Sequence, residues 1–220
     1  MSSNNTLLIL AAGRSIGIDG FHKLKLVSPS NGENLLSRYV RQFGEKVKIV
    51  VGYHAAELMS AFPQYEYAYN HAWYETGSAF SAHIGLDKAP VLIVPSDLVI
   101  SDEAVEEILS QDGNVFFSHN TENRGINSVN VSCDGSKAKR VYRGPKRSGD
   151  DPEYCGIIKI TEQETVDLLT RTCEQNPELF LIECLGMLSE HFRHHQLSGV
   201  LQEINTIDDY FTMFESNKAT

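Results

Sequence analysis

The sequence predicts an α/β fold, a mostly parallel mixed sheet covered on both faces by helices in a three-layer sandwich. Three observations carry this. Short, almost unbroken apolar runs at Thr6–Ala12, Val47–Val51 and Val91–Val94 have the composition of strands buried on both faces. Stretches with helical spacing alternate with them. The length of 220 residues suits one domain and crowds two.

Taken in order, Thr6–Ala12 is the first strand, all apolar after Thr6. Asn34–Phe43 follows as a helix with Asn34 placed to cap it. Val47–Val51 is a strand, His54–Phe62 a helix, Tyr65–Tyr69 extended and Gly77–Leu86 a helix. Val91–Val94 leads into the helix Asp102–Leu109, capped by Ser101. Near Asn114 the pattern changes: Val115–His119, Ser128–Val131, Lys139–Tyr142 and Cys155–Ile160 read as strands with only turns between them. Arg143–Pro152, rich in Gly, Pro, Lys and Asp, reads as a loop. Two helices follow, Thr161–Cys173 with Thr161 as cap and Glu164 completing a capping box, then about Pro177–His191. Val200–Asn205 is the last strand and Thr206–Phe214 the closing helix.

Composition narrows the function. Hydrophobic residues make up 41% and charged residues 22%, which suits a packed core and argues against disorder. Nineteen Lys and Arg against 29 Asp and Glu leave 19 − 29 = −10. An acidic surface is unsuited to wrapping a nucleic acid or coating an anionic membrane, so neither is an expected partner. A local basic pocket for one nucleotide is still compatible with it. No apolar run approaches the roughly 18 residues of a spanning helix. Met1–Asn5 holds no basic cluster ahead of Leu7–Ala12, so the start reads as a strand rather than a signal peptide. Cys133, Cys155, Cys173 and Cys184 form no C-x-x-C pair and read as reduced thiols, which fits a cytoplasmic location.

Four segments could carry chemistry. Leu10-Ala11-Ala12-Gly13 ends the first strand with small residues that let backbone approach a phosphate. The loop continues through Arg14 to Lys23 with neither the Walker A nor the G-x-G-x-x-G spacing, which removes the warrant for ATPase and dinucleotide readings. Arg14 and Lys23 add two cations to a triphosphate cradle, set against the plain reading of a tight turn. Ser96-Asp97 follows a buried strand, at the sheet edge where open α/β folds bind ligands. Asp97 could hold Mg²⁺ or simply make a turn. Glu203 and Asn205 share one face of the last strand and present two oxygens, with Ile204 facing away. Gly77-Ser78 opens a helix whose N–H groups and hydroxyl could bind a base or ribose, or merely cap. His191-x-x-His194-His195 invites a metal reading, but with no further donor nearby a solvated helix end accounts for it better. Arg140, Arg143, Lys146 and Arg147 put positive charge around the 143–152 loop, where an anionic substrate could meet it.

Together these segments resemble the GT-A-like nucleotidyltransferases of the sugar-nucleotide pyrophosphorylase superfamily, and among them the phosphocholine and phosphonate cytidylyltransferases. The likeness rests on Leu10-Ala-Ala-Gly13, His22-Lys23, Val50-Val-Gly-Tyr53, Tyr69-Asn70…Tyr74…Ser78…Ser81, Asp97 and Glu203-Ile-Asn-Thr-Ile-Asp-Asp-Tyr210, in that order along nearly the whole chain. It implies a Rossmann-like three-layer sandwich with a nucleotide-binding part over 1–113, an acceptor-binding part over 114–199 and a closing strand and helix over 200–220. It also implies a Mg²⁺-dependent cytidylyltransferase. A phosphate or phosphonate oxygen attacks the α-phosphorus of CTP and pyrophosphate leaves. Lys23, Arg14 and Asp97 would serve catalysis. Leu10, Ala11, Ala12, Gly13, Arg14, Lys23, Gly77, Ser78 and Ser96 would bind the nucleotide, and Asp97, Glu203 and Asn205 the metal. Arg124, Arg143, Tyr154 and Glu183 would bind the acceptor, and an oligomer is compatible with all of this.

The chain departs from the family pattern in several places, and its loop is shortened before Lys23. Gly17 stands where the family loop has its arginine, Asn205 stands where an aspartate is usual, and Leu181 and Ile182 stand near the aromatic and acidic positions of choline-binding relatives. A quaternary ammonium needs an aromatic face or counter-charge, so choline phosphate is a poor acceptor candidate. Two alternatives stand beside the cytidylyltransferase: a nucleotide-binding protein of this fold with weak or no turnover, and a sugar-1-phosphate nucleotidyltransferase. A GT-A glycosyltransferase would show Asp-x-Asp, whereas Ser96-Asp97-Leu98-Val99 offers one acid.

Overall fold

The computed structural model describes residues 5–14, 21–28, 31–120, 128–135, 137–146 and 151–215. In chain order the elements begin with β1 (Thr6–Ala11), α1 (Leu35–Phe43), β2 (Val47–Val51), α2 (Ala55–Ala61), β3 (Glu66–Tyr69) and α3 (Ser78–Gly85). They continue with β4 (Val91–Pro95), β5 (Leu98–Ile100), α4 (Asp102–Ser110), β6 (Val115–His119), β7 (Val129–Asp134), β8 (Lys137–Arg143) and β9 (Glu153–Ile160). The chain ends with α5 (Gln163–Gln175), α6 (Leu181–Met187), β10 (Arg193–Gln196), β11 (Leu201–Glu203) and α7 (Ile207–Glu215).

One mixed sheet runs β10-β6-β9-β4-β1-β2-β3, with β7 and β8 attached at β9. Pairing is parallel except around β9 and within the β7–β8 hairpin. The residues of β1 show why the sheet is covered twice. Leu7, Ile9 and Ala11 pack in one cluster with Leu36 and Tyr39 of α1, Leu58 of α2 and Ile108 of α4. Leu8 points the other way, into a cluster with Ala82 of α3, Leu169 of α5 and Leu185 of α6. Period-two alternation thus feeds both outer layers, and each fully buried aliphatic side chain contributes roughly 1.5–3 kcal/mol.

The strand order fixes where a ligand can sit. The chain moves outward from β1 to β2 and β3, then returns to β4 on the other side of β1. The carboxyl ends of β1 and β4 therefore flank a topological switch point, where diverging loops leave a crevice.

Several expectations need correction. β5 and β10 were not foreseen, and His194 and His195 lie in β10 rather than at a helix end. The expected 177–191 helix is only Leu181–Met187, followed by a 3₁₀ turn at Ser189–His191. Thr161 does not cap α5: Glu162 holds that position without a side-chain cap bond, and the Thr161 N–H donates to Asn114 Oδ1 at 2.9 Å. The last strand stops at Glu203, short of Asn205. Asn34 and Ser101 do cap α1 and α4, accepting from the N–H groups of Ser37 and Ala104.

Candidate functional site

The site forms at the switch point. Beyond β1, the Ala12 carbonyl accepts the Tyr53 N–H at 2.9 Å. Gly52 makes that approach feasible, because a Cβ there would lie 2.7 Å from Ala12 O and 2.6 Å from Trp73 Cβ. Among the described residues nothing lies within 4 Å of where a Gly13 Cβ would stand. The Arg14 guanidinium lies 5.7 Å from the Tyr53 ring centroid, and that ring stacks on His54 and leans on Trp73. Leu10, half-buried, is the register partner of Pro95 in the adjacent strand β4. The expected loop over Ser15–Gly20, Gly17 included, lies outside the described residues.

Lys23 is delivered by a 3₁₀ turn, Lys23–Lys25, pinned to β1 by its neighbour. His22 is buried, with Nδ1 accepting the Leu24 N–H at 3.3 Å and Nε2 3.2 Å from the Ala11 carbonyl. The first contact fixes the tautomer, so Nε2–H donates to the carbonyl. Burial holds the His22 imidazole below its ordinary range.

Asp97 is delivered by the turn between β4 and β5, with Ser96 beside it. The buried Tyr39 hydroxyl has the carbonyls of Leu98 at 2.5 Å and Pro95 at 2.9 Å as acceptors for its proton and accepts the Leu98 N–H at 3.2 Å, so one phenol bridges the turn. Burial raises this phenol far above its usual range, and Asp97 adds to the effect. β11 pairs antiparallel with β5, placing Glu203 opposite Leu98, and the Ile204 N–H donates to Asp97 O at 2.8 Å. Asp209 accepts from the N–H groups of Asn205 and Thr206, which fixes the segment after β11.

These supports bring four residues together across 182 positions of sequence. Lys23 Nζ donates to Asp97 Oδ2 at 3.0 Å and to Asn205 Oδ1 at 3.3 Å, and Asn205 Nδ2 donates to Glu203 Oε2 at 2.9 Å. An ammonium only donates and a carboxylate only accepts, so the amide can face just one way. Burial raises the Glu203 carboxyl, with Asp97 and Glu153 pushing the same way and Asn205 and Lys23 opposing. Glu203 is an exposed residue, and the side chain that holds its carboxylate is Asn205.

The donor set is all oxygen, which suits a hard cation such as Mg²⁺. Among the described residues no cluster of three His, Cys, Asp or Glu forms a metal site. The oxygens of Asp97 and Asn205 still fit, because one cation, the Lys23 ammonium, already bridges them, with the Glu203 carboxylate next to Asn205.

Other expected residues lie differently. The N–H groups of Gly77 and Ala79 donate to the Pro177 and Leu179 carbonyls, and the Ser78 hydroxyl accepts the Leu181 N–H at 2.9 Å. The opening of α3 is thus closed by the 177–181 segment, not left free for a base. The Arg143 guanidinium lies 3.5 Å from the Phe180 ring centroid, and Glu183 Oε2 accepts the Phe180 N–H at 2.8 Å. Arg143 and Glu183 therefore meet at Phe180. Tyr154 is the second residue of β9, its phenol pushed up by burial. Arg124 and Arg147 lie outside the described residues. Tyr39, Asp209, Glu153 and Phe180 escaped sequence reasoning; only the i+4 spacing from Asn205 to Asp209 could have flagged one of them. Further along the same edge a cavity of about 400 Å³ is lined by His119, Asn120 and residues 196–201.

No protein-family model matches the chain, and no curated protein does. Solved structures do. The CTP:phosphocholine cytidylyltransferase of Streptococcus pneumoniae superposes with a TM-score of 0.74 at 15% identity, over 96% of this chain and 98% of that one. The chain has the fold of that protein. It is also similar to the inositol-1-phosphate CTP transferase from T. maritima, with a TM-score of 0.72 at 15% identity over 95% and 94% of the two chains. A third structure, from Bacillus anthracis and described as a glucose-1-phosphate thymidylyltransferase in complex with a sucrose, gives 0.73 at 14% identity over 98% and 96%. The three-layer fold expected from the sequence is thereby established.

Proposed function

We propose that the chain is a nucleotidyltransferase, and that it transfers CMP from CTP to a small phosphate monoester or phosphonate. One observation carries the reading: Lys23, Asp97, Asn205 and Glu203 converge at the switch point by the carboxyl ends of β1 and β4. Two of the similar structures are named for CTP, which supports the choice of base.

The reaction asks for alignment and charge neutralisation more than for a side-chain nucleophile. An ionised acceptor oxygen forms a bond to the α-phosphorus, the bond from that phosphorus to the bridging oxygen breaks, and pyrophosphate carries away the electron pair. Gly13 and its neighbours let backbone approach the triphosphate. Lys23 and Arg14 neutralise phosphate charge. Asp97, Asn205 and Glu203 would hold Mg²⁺, which supplies further neutralisation of the phosphates when bound. The 1–113 part would bind the nucleotide and the 114–199 part the acceptor, with Arg143, Tyr154 and the cavity at His119 and Asn120 on the acceptor side.

A sugar-1-phosphate acceptor is the second reading, supported by the similar structure described as a glucose-1-phosphate thymidylyltransferase, while Arg143 lies on the Phe180 face. That face already carries a cation, so it suits an anionic or neutral acceptor better than a quaternary ammonium. Pyrophosphate release from CTP, UTP, GTP and dTTP against a panel of phosphate monoesters, sugar-1-phosphates and phosphonates tests both readings. Acceptor-dependent release with CTP preferred supports the first. Equal or faster release with dTTP or UTP would remove the cytidine assignment.

A further inference from the structure

The Lys23 ammonium stands where a divalent ion on Asp97 and Asn205 would stand. It lies 3.0 Å from one oxygen and 3.3 Å from the other. Lys23 is buried, with a side chain only 8% exposed, while Asp97 keeps 30%. The contact is therefore a part-buried ion pair, screened less than a fully exposed one. The Asn205 amide nitrogen donates to Glu203, which turns its oxygen toward Lys23. A divalent ion binding the same two oxygens would face a like charge at close range, which disfavours it. The lysine stem is flexible and its three donors rotate freely, so this cation can move where a fixed one could not.

We propose that Lys23 is the resident cation of the site before nucleotide binds. It excludes a free divalent ion from Asp97 and Asn205, and it yields that place only when a triphosphate offers its ammonium a stronger partner. Metal entry is thus conditional on nucleotide. This rests on the nucleotidyltransferase reading for the identity of the displacing ligand, but the competition itself belongs to the chain without nucleotide.

The test uses Mn²⁺ alone, with no nucleotide and no turnover, followed by electron paramagnetic resonance of the free ion. Wild type is compared with Lys23→Met, Lys23→Gln and the double variant Lys23→Met/Asp97→Asn, each checked by circular dichroism. Lys23→Gln keeps a polar group of similar reach and serves if Lys23→Met fails to fold. Both single variants are expected to bind Mn²⁺ at least tenfold more tightly than wild type, and the double variant to lose that gain. In wild type, protein-bound Mn²⁺ should appear on adding a CTP analogue with a non-cleavable α–β bridge. Equal affinity in wild type and both single variants overturns the proposal, as does tight binding that survives in the double variant. A chain that fails to transfer nucleotides yet shows the tenfold gain would refute the functional reading and leave the competition standing.

Discussion

Replacing Asn205 by aspartate looks harmless from sequence, since aspartate is the usual residue of the resembling family and keeps an oxygen. The structure predicts otherwise for this chain. Asn205 Nδ2 donates to Glu203 Oε2 at 2.9 Å, and aspartate has no hydrogen to donate. The substitution removes a hydrogen bond to a charged group, about 2 kcal/mol. It also places two carboxylates at that separation, which costs about 1 kcal/mol in a water-like dielectric. Lys23 then faces a carboxylate where it faced an amide oxygen, which returns about 1 kcal/mol at a partly solvated site. The net loss is about 2 kcal/mol, or about 4–8 °C in Tm for a chain of this size. Exchanging the pair reverses it: in Asn205→Asp/Glu203→Gln the amide sits on residue 203 and donates to the carboxylate on residue 205. Thermal unfolding of wild type, both single variants and the double variant at pH 7.5 without metal makes the comparison. Asn205→Asp should melt lower, and the double variant should recover most of the loss. An unshifted Asn205→Asp, or a double variant no better than it, would refute the amide bridge.

Other consequences can be checked alongside. Gly77→Ala should destabilise by about 2–3 kcal/mol, because the new Cβ would lie 2.0 Å from the Leu179 carbonyl oxygen and break the bonds from Gly77 and Ala79 to the 177–179 backbone; urea unfolding reads it. His22 is held below its unfolded pKa of 6.5, so the unfolded chain binds more protons between the two values and stability falls as pH drops through that window. The slope reaches at most about 1.4 kcal/mol per pH unit for one such group, and His22→Gln should flatten a Tm-against-pH curve between pH 7.5 and 5.5. Lys23→Ala should cut kcat/KM by about 10²-fold or more, since a charge-assisted phosphate contact formed in the transition state is worth roughly 3 kcal/mol. Lys25→Ala should be milder, because Lys25 pairs with Glu57 away from Asp97, and steady-state kinetics of the two variants separate them.

How much of this was legible in the sequence depends on the range of the forces involved. The central strands were readable because each is apolar enough to declare burial on both faces. β10 was not, since Arg193-His194-His195-Gln196 has no apolar residue; its place is set by β6 and by the contacts of His194 with Ser118 and His195 with Glu107. β5 is three residues long and exists because β11 pairs with it from a hundred residues away. The cap of α5 failed because Asn114 takes the Thr161 N–H, a long-range contact that overrides local capping. In the site, Lys23, Asp97, Glu203 and Asn205 were legible as types at strand ends. That Lys23 bridges the others, that Asn205 donates to Glu203, and that Tyr39 and Asp209 hold the turns were not, because each depends on tertiary geometry.

The most direct test is acceptor-dependent pyrophosphate release from CTP and Mg²⁺ by wild type and by Asp97→Asn, which is nearly isosteric. The account predicts release with at least one phosphate monoester or phosphonate, together with a product that joins CMP to that acceptor, and its loss in a folded Asp97→Asn. Release that continues at the wild-type rate in Asp97→Asn, or a folded wild type that binds CTP but transfers it to none of the panel, would contradict it.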